Sequence, residues 1–104
     1  MTGDAQPLAE IAFSAEIVHW RGPAPWLFVP VPPEHVGEVR YAARHASYGW
    51  GCVPVHARIG GTDFTTSLFP RGDTYMLPVK VAVQRAERIG LGDRVAVAIR
   101  ITAR

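Results

Sequence analysis

Apolar and polar residues alternate along several stretches of the chain, and each alternation predicts a β-strand with one buried face. The longest stretch is 10–20, the second is 53–59, and the most regular is 95–101. Two shorter apolar stretches, 26–29 and 75–77, each end at a proline, which removes a ladder donor. They predict two short strands.

Glycine and proline mark the connections between these strands. Two prolines and a glycine make residues 21–25 a turn, and Gly60-Gly61 supplies the positive φ of a tight hairpin. Residues 65–80 then predict strand, polar loop and strand. In this interpretation Pro70 and Pro78 each close a strand, and residues 70–73 turn the chain.

Two segments show helical rather than strand periodicity. Pro32-Pro33-Glu34 is typical of a helix start, because proline fits the first turn and a carboxylate favours the positive helix end. The apolar stripe of this first helix is Val36, Val39 and Ala43. The second helix is predicted over 79–89, ending at Gly90 as its cap, with a stripe formed by Val79, Ala82, Val83, Ala86 and Ile89.

The two halves of the chain follow the same order of elements, β-β-α-β. Pro30-Val31 matches Pro78-Val79, and residues 49–52 match 90–93. Six strands and two short helices in this order predict a mainly β (α+β) closed or split barrel with pseudo-two-fold symmetry, because closure removes exposed strand edges. At 104 residues we expect one domain, with the barrel over 8–102 and a disordered or extended tail over 1–7.

Composition agrees with a globular domain, since 48% of residues are hydrophobic and 19% are charged. The formal net charge of +2 is too small to require a polyanionic partner. Residues 1–56 carry three basic and five acidic side chains, whereas residues 57–104 carry eight basic and four acidic ones. The basic half indicates either an anionic partner or a solvated surface; its arginines include Arg85, Arg88, Arg94, Arg100 and Arg104.

The N-terminal residues show no basic segment followed by an apolar run, so we expect no signal peptide. No apolar run approaches the length of a membrane span, so no membrane partner is expected. Cys52 is the sole cysteine and excludes an internal disulfide. These features together predict a cytoplasmic protein.

Several motifs resemble a bacterial family of domains of unknown function, DUF1905, over about residues 8–102. They are Gly49-Trp50-Gly51-Cys52-Val53-Pro54-Val55, Thr66-Ser67-Leu68-Phe69-Pro70, Tyr75-Met76-Leu77-Pro78-Val79-Lys80 and Gly92-Asp93-Arg94-Val95. The resemblance implies a six-stranded double-split β-barrel and brings no established activity, ligand or catalytic residue. Residues 76–101 are also similar to transition-state regulators and antitoxins of the swapped-hairpin kind.

The sequence gives no motif for catalysis or metal binding. His19, His35, His45 and His56 lack metal-ligand spacing, although His19 and His56 could lie near Cys52 and leave a zinc or thiol–imidazole site open. Ser67 lacks the Gly-x-Ser-x-Gly elbow. We therefore expect no catalytic residue, no metal and no cofactor.

The densest set of polar and aromatic residues lies on the predicted hairpin of residues 65–80. A pocket formed there would suit a small polar or anionic ligand, and the alternative is a loop network that fixes the hairpin. The candidate ligand-binding residues are Ser67, Arg71, Asp73, Tyr75, Lys80 and Trp50. Trp20, Trp26 and Trp50 all adjoin turns and are expected to plug the barrel ends or lie at an interface.

From these features we expect a non-enzymatic binding or interaction module, either monomeric or a homodimer. One alternative is a nucleic-acid-binding, regulator-like domain that uses the basic C-terminal half. Another is a small-molecule enzyme that uses the polar cluster within residues 67–80, although no base–nucleophile pair is visible there.

Overall fold

The computed structural model of the chain describes residues 7–20, 26–47 and 51–103. The predicted turn at 21–25, Trp50 and most of the predicted N-terminal tail lie outside the described residues. The elements are β1 (Ala9–Glu16), β2 (Val18–Trp20), β3 (Trp26–Pro30), α1 (Pro33–Ala46), β4 (Val53–Ile59), β5 (Thr62–Arg71), β6 (Thr74–Pro78), α2 (Val81–Glu87) and β7 (Arg94–Ile101).

The strands form one curled, half-barrel-like sheet in the order β1-β7-β4-β5-β6-β3-β2, with two helices beside it. Every strand pair is antiparallel. The prediction of a mainly β fold with two helices is therefore confirmed. No helix in the described ranges is long and apolar enough to cross a bilayer.

The strand predicted over 10–20 is divided in two at Ile17. The Ile17 N–H donates to the carbonyl of Asp93 at 2.8 Å, and the Ile17 carbonyl accepts from the Gly92 N–H at 2.9 Å. Because both backbone groups bond to the segment before β7, Ile17 leaves the ladder. β1 pairs with β7, whereas β2 pairs with β3.

β5 is one continuous strand that pairs first with β4 and then with β6. Its first seven residues, 62–68, pair with β4, and residues 69–71 pair with β6. The prediction that Pro70 ends this strand is wrong, because Pro70 lies within β5 opposite Tyr75. Its missing N–H is tolerated there because the β4 ladder stops at Leu68. The turn consists of Gly72 and Asp73, with Gly72 at φ +58°.

α1 begins with proline in its first turn and Glu34 beside it, as the sequence predicts. Its buried face contains Val36 and Val39, but continues through Ala42 and Ala46 rather than Ala43, which is half-buried. The predicted stripe is correct in its first half and displaced by one residue in its second.

α2 is shorter than the helix predicted over 79–89. Val79 remains in extended chain, where its N–H donates to the Leu27 carbonyl at 2.9 Å. The helix closes in a Schellman arrangement, with the Ile89 N–H bonded to the Gln84 carbonyl at 3.0 Å and Arg88 in the left-handed region at φ 55°. The predicted cap at Gly90 is therefore wrong, and α2 buries Val83 alone among its own residues.

The core lies between the inner face of the sheet and the helices, and every buried side chain among the described residues is apolar. In β4 and β7 the odd-numbered residues face this core and the even-numbered residues face outward, as predicted. Pro54 lies before the segment of β4 that pairs with β7, so its missing N–H is not required on that side. The outward residues of β1, β7, β4 and β5 form a second, solvent-facing surface.

Candidate functional site

A groove of about 650 Å³ crosses the solvent-facing surface of β1, β7, β4 and β5, and we call it the outer groove. Each of the four strands contributes three consecutive residues. The lining residues are Glu10, Ile11, Ala12, His56, Ala57, Arg58, Asp63, Phe64, Thr65, Ala98, Ile99 and Arg100.

The strand registers arrange the outward side chains of the outer groove in two parallel rows. One row is Glu10, Arg100, His56 and Thr65, and the other is Ala12, Ala98, Arg58 and Asp63. Alanine side chains at Ala12 and Ala98 are short, so the long side chains around them rise above the floor. The two rows therefore place side chains of both charge signs around a groove that also has apolar lining residues.

Arg58 is joined to Asp63 on the neighbouring strand. Its Nη1 donates to both carboxylate oxygens of Asp63, at 3.2 and 3.0 Å. The two side chains are 52% and 72% exposed. An ion pair this exposed contributes only about 0.2–1 kcal/mol, so an incoming anion can replace the carboxylate at low cost.

Arg100 differs from Arg58 in its contacts. It lies between Glu10 on β1 and His56 on β4, directly opposite each in register. Within the described residues its side chain makes no hydrogen bond and no ion pair. A guanidinium carries five N–H donors in a planar fork that matches a carboxylate or phosphate. Arg100 is therefore a cation available to an anionic ligand.

His56 and Thr65 complete the polar end of the outer groove. They face each other across β4 and β5, and both are exposed. No hydrogen bond joins their side chains within the part of the chain that the structure describes. The imidazole and the hydroxyl are hydrogen-bonding groups that can approach a ligand bound to Arg100.

The candidate residues predicted from the hairpin lie elsewhere, along β5 and β6. Ser67 is half-buried opposite Pro54, and Tyr75 is buried at 8% exposure. Arg71 and Asp73 are exposed at the β5–β6 turn, and Lys80 is exposed just before α2. Trp50 lies outside the described residues, and the ligand-binding role of the set stays a prediction.

β6 separates the two ends of this set. It has five residues, and a strand rises about 3.3 Å per residue, so Asp73 and Lys80 lie at opposite ends of a strand roughly 16 Å long. The Thr74 hydroxyl, beside the turn, donates to the Val31 carbonyl at 2.7 Å. That bond ties the turn to the chain entering α1, which supports the interpretation of the hairpin as a fixed structural element.

The other groups considered from the sequence are dispersed. No three His, Cys, Asp or Glu side chains come together in the described ranges. His19 lies on β2 and His56 on the outer surface of β4, while Cys52 is half-buried. Arg94 and Arg100 lie at opposite ends of β7.

The outer groove was not identified from the sequence. The alternation of β4 and β7 leaves His56, Arg58 and Arg100 on outward positions, but Asp63 was expected in the connection after Gly60-Gly61, whereas it lies within β5. Each strand contributes a few polar residues that look like ordinary solvent-facing positions. Only the register places Arg100 opposite His56 and Arg58 opposite Asp63. The sequence does show arginine and histidine at outward positions of the alternating strands β4 and β7. It does not show which of these residues face each other.

Comparison with known proteins gives one match to a family. A family model described as "Domain of unknown function (DUF1905)" matches residues 13–99. The matched range begins within β1 and ends within β7, so it includes every element between them. No curated protein matches the chain.

Proposed function

The chain belongs to the DUF1905 family of domains of unknown function, and we propose that it is a non-enzymatic binding module that holds a small anionic ligand in the outer groove. The family match brings no activity with it. The proposal rests on the geometry of the outer groove and on the charges of its side chains.

For the fold, we propose the six-stranded double-split barrel with two pseudo-symmetric halves. β1 and β2 occupy the two ends of the strand order and are consecutive along the chain, with Ile17 between them. Counted as one bent strand, they bring the ends of the order together and reduce seven strands to six. β1 also contacts β3, which supports closure.

The observation that carries the proposed function is the state of Arg100. Arg100 faces Glu10 in register, and the two side chains make no ion pair in the described structure. Its guanidinium stands at a concave surface beside His56. A bidentate contact from this group would hold a carboxylate or phosphate by charge-assisted hydrogen bonds.

The outer groove supports binding rather than catalysis. Nucleophilic catalysis requires a nucleophile hydrogen-bonded to a base, and His56 and Thr65 make no such bond in the described structure. The groove is also open to solvent along its length, since its outward residues are exposed. Catalysis by oriented charges generally uses a water-excluded site.

The proposed function is tested by replacing Arg100. Titration calorimetry with acetate and with inorganic phosphate should show binding to the wild-type protein, weakened about tenfold or more in Arg100→Ala, because a hydrogen bond to a charged group contributes about 1.5–3 kcal/mol. Arg85→Ala is the matched control, since Arg85 is also exposed but lies on α2.

Arg85→Ala removes the same charge and should leave anion affinity unchanged. Equal affinities of wild type and Arg100→Ala, or equal losses in both variants, would contradict the proposal. The second outcome would indicate a response to net charge rather than a site.

Nucleic-acid binding by the basic C-terminal half stays a prediction. Its described arginines are exposed, but Arg85 and Arg88 lie on or just after α2, and two more lie at the two ends of β7. On the outer surface Arg58 and Arg100 alternate with acidic residues. These arginines lie on different elements, whereas phosphate-backbone binding depends on many cations that contact the same nucleic acid.

A further inference from the structure

The internal repeat predicted from the sequence relates the two halves of the outer groove. Alignment of β4 and β7 by their buried residues places Val53 on Val95, because both strands alternate buried and outward positions from there. This alignment places Arg58 on Arg100. The two arginines are therefore equivalent positions of the two halves.

The acidic neighbours follow the same relation. Asp63 on β5 lies opposite Arg58 on β4, and Glu10 on β1 lies opposite Arg100 on β7. Each half thus contributes one acid–arginine pair to the outer groove, with the arginine on the inner strand and the acid on the outer strand. The centre of the groove lies between β4 and β7, which pair directly.

The two arginines are close enough to contact one ligand. Arg58 lies opposite Ala98, and Arg100 is two residues further along β7 on the same face. Diagonal neighbours of this kind have backbones about 7–8 Å apart. Long side chains that start from these positions can converge above the short Ala98 side chain.

The two equivalent acid–arginine pairs differ in their hydrogen bonds. Asp63 accepts two hydrogen bonds from Arg58, whereas Glu10 makes none with Arg100. Glu10 and Asp63 are both exposed, so solvent screens both pairs. The Arg100 guanidinium is therefore accessible to a ligand. The Arg58 guanidinium is bound to the Asp63 carboxylate, which a carboxylate of the ligand can replace.

We infer that the ligand of the outer groove carries two anionic groups, of which one binds Arg100 and the other displaces Asp63 from Arg58. This inference rests on the proposed function and specifies its ligand class as a small dianion, such as a dicarboxylate. The spacer between the two groups spans the floor at Ala98.

The test compares acetate with malonate, succinate and glutarate by titration calorimetry at constant ionic strength. The best dicarboxylate should bind at least about tenfold more tightly than acetate, since it adds a second charge-assisted contact. Arg58→Ala should bring that dicarboxylate down to the affinity of acetate, and Arg100→Ala should weaken both ligands.

Asp63→Asn gives an independent check, because it removes the competing carboxylate and leaves Arg58 in place. It should tighten dicarboxylate binding several-fold, whereas Glu34→Gln, an equal charge change at the exposed start of α1, should not. Equal effects of the two substitutions would overturn displacement at Arg58. Unfolding midpoints of all variants verify that each remains folded.

The results separate the inference from the proposed function. Dicarboxylates that bind no more tightly than acetate, while Arg100→Ala still weakens acetate binding, would overturn the inference and leave the proposed function standing. Absence of binding by acetate, phosphate and every dicarboxylate would overturn both.

Discussion

At the scale of single residues, Gly60 is the most closely surrounded of the described glycines. It has φ +59°, which side chains other than glycine rarely adopt. A Cβ added there would overlap the Glu87 carboxylate, which also accepts a hydrogen bond from the Thr62 hydroxyl. Gly60 therefore allows α2 to approach the β4–β5 turn closely.

Gly60→Ala should lower the free energy of unfolding by about 1–3 kcal/mol, because it adds backbone strain and displaces Glu87. Urea denaturation measures the change. Gly61→Ala is the matched control, since no atom lies within 4 Å of a Cβ built there. Equal stability of the two variants would show that neither the positive φ nor the contact with Glu87 matters.

Residue-scale predictions from the sequence succeeded where local chemistry decides the outcome. Proline at the α1 start and the positive φ within Gly60-Gly61 both follow from local preference, and both are confirmed. The contacts of Arg58 and Arg100 could not be predicted in this way. Which side chains the two arginines face depends on the registers that join β1, β7, β4 and β5. Register between strands that are distant in the chain cannot be read from the sequence.

At the scale of elements, α2 is the least anchored helix. It has seven residues and buries Val83, whereas α1 has 14 residues and buries four side chains. Local stability follows buried apolar contact. The hydrogen bond between the Thr62 hydroxyl and the Glu87 carboxylate is a further link between α2 and the sheet.

Hydrogen exchange should show α2 amides opening before those of α1 and β7. Glu87→Ala should increase α2 exchange further and leave β7 unchanged, because it removes the contact with the β4–β5 turn. Glu38→Ala, on the exposed side of α1, is the control. Equal protection of α1 and α2 in the wild-type protein would contradict this description of α2.

Element-scale predictions were most accurate for the regular strands. The alternation over 53–59 reproduces β4 residue for residue, and that over 95–101 is one residue shorter than β7. The predicted second helix was too long because Val79 and Ile89 fit its stripe but belong to the flanking chain. The break at Ile17 was missed because alternation continues through it, and only pairing to Gly92 and Asp93 interrupts the ladder.

At the scale of the whole molecule, the internal repeat stays a prediction from the sequence, and the burial patterns of β4 and β7 favour a different alignment of its two halves. Gly51 and Gly92 have φ +89° and +88°, as expected for equivalent turns. One additional residue follows the second glycine before the first buried valine, so Val53 aligns with Val95 rather than with Arg94. That single residue decides which outward side chains are equivalent.

The outer groove is a property of this whole assembly. It requires β1 and β5, from different halves, to flank the β4–β7 pair, and that arrangement makes Arg58 and Arg100 neighbours. Long-range pairing of this kind depends on the packed core rather than on local sequence. The groove could therefore be described only once the sheet order and registers were known.

The measurement that tests the anion site most directly is a titration of ¹⁵N-labelled protein with succinate, followed by backbone amide NMR shifts. Changes should concentrate in the four lining segments, 10–12, 56–58, 63–65 and 98–100. They should saturate in the wild-type protein, and in Arg100→Ala they should require about tenfold more succinate or more. Changes confined to the β5–β6 turn and Lys80, or no saturable change at all, would contradict an anion site in the outer groove.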